Sequence, residues 1–161
     1  MGYGLVAFAE AFPACELTGV EIDEASLEKA RELAGSVARV ERLDVRELPW
    51  RDEFDLVFAN ISLSHTWGSE PEVFAAFHDV LRPGGFVLCS DVPYPQRLAD
   101  LRSPGGRLFT GVSVYVSLLG FSLVTPGELL ARLAGAGFED ARIVEQPART
   151  RMMALARKPT A

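Results

Sequence analysis

The chain has 161 residues, the length of one domain, and its 16 basic and 22 acidic side chains give a net charge of −6. This acidic balance argues against a nucleic-acid-binding protein, because such proteins usually carry basic stripes that neutralise phosphates. Only two cysteines and two histidines are present, without the spacing of a zinc site, which argues against a bound metal. No basic region precedes the first apolar stretch, so we expect a cytoplasmic protein without a signal peptide.

Residues 108–127 contain no charged side chain, and by length alone this segment could cross a membrane. Only 11 of its 20 residues are apolar, because threonines, serines, glycines and a proline interrupt the run. No cluster of lysine or arginine marks a cytoplasmic flank. We therefore expect the wall of an apolar pocket or a subunit contact here, and no membrane span.

Helices and strands alternate along the first half of the chain, which predicts an α/β fold with a parallel sheet. Asp23 has the position and residue type of a helix N-cap, and Gly35 is expected to end that helix in the left-handed conformation. The predicted elements of this half are a short buried helix over 4–12, a strand over 16–22, a helix from Asp23 to about residue 34, and a strand over 37–43.

The second half continues the alternation, and residues 54–60 are mostly apolar, as expected of a central parallel strand buried on both faces. Two capping boxes, at Ser69 and at Thr125, predict the starts of two helices. The last two strands are joined by a turn around Pro147 that is too short for a parallel crossover, so they must be antiparallel. The other predicted elements are a helix to residue 81, a turn over 82–85, a strand over 86–90, a loop over 92–107, a helix to about residue 134, and strands over 138–146 and 151–157.

Gly2 and Gly4 open the first predicted helix, and the acidic Glu21 ends the strand that follows. In dinucleotide-binding folds, such glycines let the backbone approach a ligand, while the acid accepts hydrogen bonds from ribose hydroxyls. With Ala7 the glycines also fit the G-x-G-x-x-A form of a nicotinamide-dinucleotide site, and a simple turn glycine pair is the alternative. No strand precedes these glycines, although a βαβ unit requires one, so we expect a fragment whose first strand is missing.

Five short segments, taken in order, make the chain similar to class I S-adenosylmethionine-dependent methyltransferases along nearly its whole length. The C-terminal hairpin also resembles that family and is absent from Rossmann dehydrogenases. The resemblance implies a Rossmann-like, doubly wound, mostly parallel sheet with an antiparallel C-terminal hairpin, a single catalytic domain over residues 1–161, and S-adenosylmethionine as the cofactor. The five segments are Gly2-Tyr-Gly4, Gly19-Val-Glu-Ile-Asp23, Arg42-Leu-Asp-Val45, residues 54–60 and Leu81-Arg-Pro-Gly-Gly85.

Leu63-Ser-His-Thr-Trp67 resembles a Leu-His-x-Trp stretch of small-molecule O-methyltransferases of the dimeric plant and bacterial type, in which the histidine is the general base. Here Ser64 stands between the leucine and the histidine, and the N-terminal dimerisation domain of that subfamily is absent. The resemblance implies that His65 removes the acceptor proton and that the full-length protein forms a homodimer. The acceptor is expected to be a small aromatic or polyketide-like molecule.

The resemblance and the ends of the predicted strands together supply the candidate site residues. Asp91 follows a strand and could orient the base or cap a turn. Trp67, Tyr115 and Leu119 are candidates for contact with the acceptor, although core packing explains such side chains equally well. The candidates for cofactor binding, among which Glu21 would hold the ribose and Asp44 the adenine amino group, are Gly2, Gly4, Glu21, Ile22, Asp44, Val45 and Asn60.

Two functions of other classes stay open from the sequence. The glycine string and Glu21 also suit an NAD(P)-dependent oxidoreductase, although Asp44 and the C-terminal hairpin count against that function. The missing first strand would also suit a non-catalytic remnant of a methyltransferase fold. In that case His65 would be a loop histidine hydrogen-bonded to a backbone carbonyl.

Overall fold

A computed structural model describes residues 2–66, 70–93, 97–120, 123–144 and 151–160, with the exception of the side chains of Ser64, His65 and Glu70. Contacts divide the chain into two compact units, Met1–Pro49 and Trp50–Ala161. Each unit has a sheet of its own, of two strands in the first unit and of four strands in the second.

The first unit alternates helices with two parallel strands, as the sequence predicts. Strand β1 pairs with β2 in parallel, in a register that places Glu21 opposite Arg42. The two strands therefore end at the same edge of this small sheet. The elements are α1 (Tyr3–Ala11), β1 (Thr18–Glu21), α2 (Glu24–Ala34) and β2 (Arg39–Arg42).

The predicted start of α2 is confirmed, because the Asp23 carboxylate accepts a hydrogen bond from the Ser26 N–H at 2.8 Å. Two other expectations for this unit are wrong. Gly35 is right-handed, with φ −65°, because the chain leaves α2 through a further turn in which the Ala38 N–H donates to the Ala34 carbonyl. Helix α1 contains no buried residue, although the sequence predicts a buried helix.

The second unit contains the predicted parallel pair and the predicted antiparallel hairpin. Its strand order is β3-β4-β6-β5, with β3 parallel to β4, and β6 antiparallel to both β4 and β5. The expected α/β class with an antiparallel C-terminal hairpin is thereby confirmed. The elements are β3 (Phe54–Asn60), a 3₁₀ helix (Leu63–Thr66), α3 (Glu70–Val80), β4 (Leu81–Asp91), α4 (Leu98–Arg102), α5 (Pro104–Leu118), α6 (Pro126–Gly135), β5 (Glu139–Val144) and β6 (Met152–Arg157).

Helices α3 and α6 supply much of the core of this unit. Thr125 and Glu128 form the predicted capping box of α6, and Leu129 and Leu133 on the same helix are buried. On β4, Cys89 is also buried, and burial, followed by the charge of Asp91, raises the pKa of its thiol to about 12. The second cysteine, Cys15, is exposed in the first unit.

Strand β3 is not the central strand that its composition predicts. Within the described residues it pairs only with β4, so it is the outer strand of its sheet, and Leu56 is 42% exposed. The predicted turn over 82–85 is present as an irregularity inside β4, between the pairs Phe54–Leu81 and Leu56–Phe86. Gly84 has φ +81° there, a conformation that a residue with a side chain rarely adopts.

Residues 98–102 and 104–107 are helical, although the prolines and glycines of residues 92–107 predict a loop. Pro104 takes the first position of α5, where the missing N–H costs nothing, and the Ser103 hydroxyl accepts from the Gly106 N–H at 3.0 Å. Gly106 is needed because a Cβ atom there would lie 1.8 Å from the Asp100 carbonyl oxygen of α4. Most of the uncharged segment belongs to α5, and none of the helices described is long and apolar enough to cross a membrane.

The capping box at Ser69 and the turn around Pro147 lie outside the described residues.

Candidate functional site

The carboxyl edge of the two-stranded sheet brings together four of the predicted cofactor residues. Glu21 is the last residue of β1 and Ile22 follows it, while Asp44 and Val45 lie two and three residues beyond Arg42, the last residue of β2. In open α/β sheets, ligands bind outside the carboxyl ends of parallel strands. The structure therefore places these four residues at an edge of the kind that binds nucleotides.

Glu21 is held in place by the turn that follows it. Its Oε1 accepts hydrogen bonds from the N–H groups of Ile22, at 2.9 Å, and Asp23, at 3.0 Å. The other carboxylate oxygen, Oε2, makes no hydrogen bond within the described part of the chain and can accept from a ligand. A half-buried, oriented carboxylate with a free acceptor oxygen suits a pair of ribose hydroxyls.

Asp44 is fixed by Arg46, two residues further along the chain. The Asp44 Oδ1 accepts from both the backbone N–H and the Nε of Arg46 at 2.9 Å, and its Oδ2 accepts from Nη2 of the same guanidinium. These hydrogen bonds lower the pKa of Asp44 to about 2. The carboxylate is consequently ionised at neutral pH and can only accept hydrogen bonds, as contact with an adenine amino group requires. Arg46 is a site residue that the sequence patterns did not indicate, although an arginine two residues after an acid can pair with that acid.

The glycine pair opens α1 as predicted, but the near neighbours of Gly2 are on α2. Gly2 is the N-cap of α1, with φ +80° and no side-chain cap, and a Cβ atom on it would lie 3.2 Å from the Ala30 Cα. A Cβ atom on Gly4 would have no neighbour within 4 Å. The N-terminus of α1 is thus open at Gly4, while Glu21 and Asp44 lie at the strand ends.

The carboxyl edge of the four-stranded sheet carries Asn60 and the segment that leads to His65. Strand β3 ends at Asn60, whose carboxamide Oδ1 accepts from the Arg151 Nη1 at 3.2 Å. The 3₁₀ helix that contains His65 begins three residues later and contacts β4 and α3. The structure therefore places the backbone of His65 near the carboxyl ends of two parallel strands. Its ring lies outside the described part of the chain, as does Trp67.

Asp91 ends β4 at this same edge and is 1% exposed. Its Oδ1 accepts from the Val92 N–H at 2.7 Å, so the carboxylate caps the start of the following loop. The same position, on the strand that contacts the 3₁₀ helix, also suits a carboxylate that orients a nearby imidazole.

His78 lies at the other end of this unit. It precedes the start of β4 by three residues, and its ring meets Phe138 edge to face, with the centroids 5.2 Å apart. Burial, followed by the charge of Lys158, lowers its pKa. These contacts indicate that the role of His78 is packing against Phe138. His65 is therefore the histidine at the carboxyl edge of the four-stranded sheet.

Tyr115 and Leu119 lie at the C-terminal end of α5. They are 64% and 51% exposed, so neither lines an enclosed cavity in this unit. Their expected contact with an acceptor stays a prediction. In the described part of the chain, no group of three or more His, Cys, Asp or Glu side chains could hold a metal ion.

Comparison with known proteins identifies the family to which the chain is similar. A family model described as a methyltransferase domain matches residues 1–85, more than half of the chain. The malonyl-[acyl-carrier protein] O-methyltransferase of Xylella fastidiosa (strain M23) is 44% identical over 61 residues, which cover 37% of this chain and 20% of that protein.

Solved structures show a similar fold over nearly the whole chain. Human N-acetylserotonin methyltransferase in complex with SAM has a TM-score of 0.74 at 22% identity, with 94% of this chain and 43% of that chain covered. Phospholethanolamine N-methyltransferase 2 of Haemonchus contortus has a TM-score of 0.79 at 17% identity, with 98% and 46% covered. The chain spans less than half the length of these two proteins. At such identities the similarity shows the fold and leaves the acceptor atom open.

Proposed function

Because the chain belongs to the methyltransferase domain family, we propose that it binds S-adenosylmethionine and transfers the methyl group to a hydroxyl oxygen of a small molecule. The predicted resemblance to methyltransferases is confirmed by the family model. The proposed cofactor is supported by human N-acetylserotonin methyltransferase, a protein of similar fold that was solved in complex with SAM. The observation that best supports cofactor binding is the pair of oriented carboxylates at one sheet edge, Glu21 and Asp44.

The chemistry of these two carboxylates fits the cofactor. Ribose hydroxyls and an adenine amino group are hydrogen-bond donors, and both acids are acceptors. Glu21 is oriented by the N–H groups of the two residues that follow it, and Asp44 is oriented by Arg46. Glu21 would accept from the ribose and Asp44 from the adenine. Ile22 and Val45 would border the adenosine, and Gly4 would let it approach the start of α1. The contact of Asn60 with the cofactor stays a prediction.

The proposed base is His65. When bound, the cofactor supplies an electrophilic methyl group on a sulfonium sulfur, so the protein needs no covalent intermediate. His65 would accept the proton of the acceptor hydroxyl as the methyl group is transferred to its oxygen. Asp91 is proposed as a positioning residue that holds the imidazole in the tautomer able to accept this proton.

The acceptor class is proposed from the apolar candidates and from one relative. Trp67, Tyr115 and Leu119 would contact an aromatic or polyketide-like body, since such side chains bind apolar surfaces. Oxygen as the accepting atom is supported by the O-methyltransferase of Xylella fastidiosa, over the short segment that the two proteins share. We also propose that the protein forms a homodimer, as the resemblance to O-methyltransferases of the dimeric type implies.

Calorimetric titration with S-adenosylhomocysteine tests the proposed cofactor. We expect saturable 1:1 binding to this chain, and no competition from NAD or NADP at concentrations about 100-fold above the dissociation constant. Displacement by either nicotinamide cofactor would favour the oxidoreductase. Absence of binding by all three compounds would favour the non-catalytic remnant.

A further inference from the structure

Asn60 and Arg151 meet at the carboxyl edge of the four-stranded sheet, although 91 residues separate them. Asn60 ends β3. Arg151 directly precedes β6, whose first residue, Met152, pairs with Asp91 at the end of β4. Both side chains are exposed, at the edge where open α/β sheets bind ligands.

The contact between them determines which groups remain for a ligand. An arginine can only donate hydrogen bonds, so the Asn60 atom that faces Nη1 is the carbonyl oxygen, and the amide NH₂ is free to turn elsewhere. Within the described residues, this NH₂ and the Nε and Nη2 of Arg151 make no hydrogen bond. The NH groups of the pair that remain unused are donors, and one of the two side chains is a permanent cation.

Arg151 also has no carboxylate partner among the described residues, in a chain whose net charge is −6. Other arginines of the same unit do pair with acids, as Arg82 does with Asp55 at 2.8 Å. A cation that contacts only a neutral amide at a ligand-binding edge keeps its capacity for an anion. The guanidinium fork matches the two oxygens of a carboxylate in particular.

We propose that the Asn60–Arg151 pair is a carboxylate-binding subsite of the methyl-transfer site, a proposal that rests on the proposed function. Two sources share this chemistry. The carboxylate belongs either to the amino-acid part of the cofactor or to an acceptor that carries its hydroxyl on an acidic aromatic molecule. In both cases Arg151 supplies charge and direction, and the Asn60 NH₂ supplies a second donor.

Four probes distinguish the two sources when titrated into wild type and Arg151→Gln. S-Adenosylhomocysteine carries the amino-acid carboxylate, and 5′-methylthioadenosine lacks it. Salicylate carries a carboxylate beside its hydroxyl, and catechol does not; both are titrated into protein saturated with S-adenosylhomocysteine. Arg142→Gln is the matched control, because Arg142 is exposed on β5 and, among the described residues, its side chain donates a hydrogen bond only to the Asp140 carbonyl.

We expect Arg151→Gln to bind one carboxylate probe about tenfold more weakly than wild type, since a charge-assisted hydrogen bond is lost. If the variant binds S-adenosylhomocysteine more weakly but binds methylthioadenosine as wild type does, the subsite holds the carboxylate of the cofactor. If the variant binds salicylate more weakly but binds catechol as wild type does, the subsite holds the carboxylate of an acidic acceptor. Asn60→Asp should weaken the same probe, because a carboxylate there would neutralise Arg151.

Identical affinities of Arg151→Gln and Arg142→Gln for all four probes would overturn the subsite while the cofactor site stands. Failure of wild type to bind S-adenosylhomocysteine would overturn the proposed function, and the subsite with it. Circular dichroism and thermal unfolding of each variant separate a lost contact from a lost fold.

Discussion

Replacing His65 with alanine is expected to lower the rate of methyl transfer by about 10²–10⁴-fold, the usual contribution of a general base. The affinity for S-adenosylhomocysteine should change less than about twofold, because the base acts on the acceptor and not on the cofactor. The rate is measured as S-adenosylhomocysteine released from S-adenosylmethionine, with catechol and salicylate as acceptors.

His78→Gln is the matched control for this substitution. The ring of His78 packs on Phe138 at the far end of the unit, so its loss should leave the rate nearly unchanged. Asp91→Asn tests the positioning residue: it should lower the rate without changing the affinity for S-adenosylhomocysteine, and it should have little further effect in the His65→Ala background. Equal rates for wild type and His65→Ala would remove His65 from the mechanism.

Glu21→Gln is expected to weaken S-adenosylhomocysteine binding by about 10- to 100-fold, the range for hydrogen bonds to a charged group. The substitution keeps an acceptor oxygen for the N–H groups of Ile22 and Asp23, so the turn after β1 should survive. It removes the charge and replaces one acceptor oxygen with a donor NH₂, which cannot accept from a ribose hydroxyl. Calorimetry measures the affinity.

Glu41→Gln is the companion variant on the same sheet. Glu41 lies inside β2, opposite Val20 of β1, and its carboxylate pairs with Arg39 at 3.0 Å. Its substitution should leave binding within about twofold of wild type, since the median surface ion pair contributes about 0–1 kcal/mol. If both variants bind equally well, Glu21 does not hold the ribose.

Structural features that depend on residues close together in the sequence were predictable. The caps at Asp23 and Thr125 depend on a side chain and an N–H group three residues apart, and both form as expected. The parallel pair of the first unit and the C-terminal hairpin follow from apolar periodicity and connection length. The family emerged from motifs spread in order along the chain, and the family model confirms it.

The features that were missed depend on neighbours distant in sequence. The composition of β3 predicts a central strand, yet position in a sheet is set by which strands pair, and β3 pairs with β4 alone in the described residues. Proline and glycine predict a loop at 98–107, but Ser103 and the close approach of Asp100 to Gly106 make helices there. No local pattern could have joined Arg151 to Asn60 across the sheet edge.

The two cysteines differ enough to give the protein a built-in probe of local opening. Cys15 is exposed, whereas Cys89 is buried on β4 with a thiol pKa raised to about 12. Because the thiolate is the reactive form, a maleimide dye should couple once per folded chain, at Cys15, and twice in denaturant. Under native conditions, the rate at which the second label appears would then report how often the four-stranded sheet opens around β4. Mass spectrometry can follow this labelling without any engineered residue.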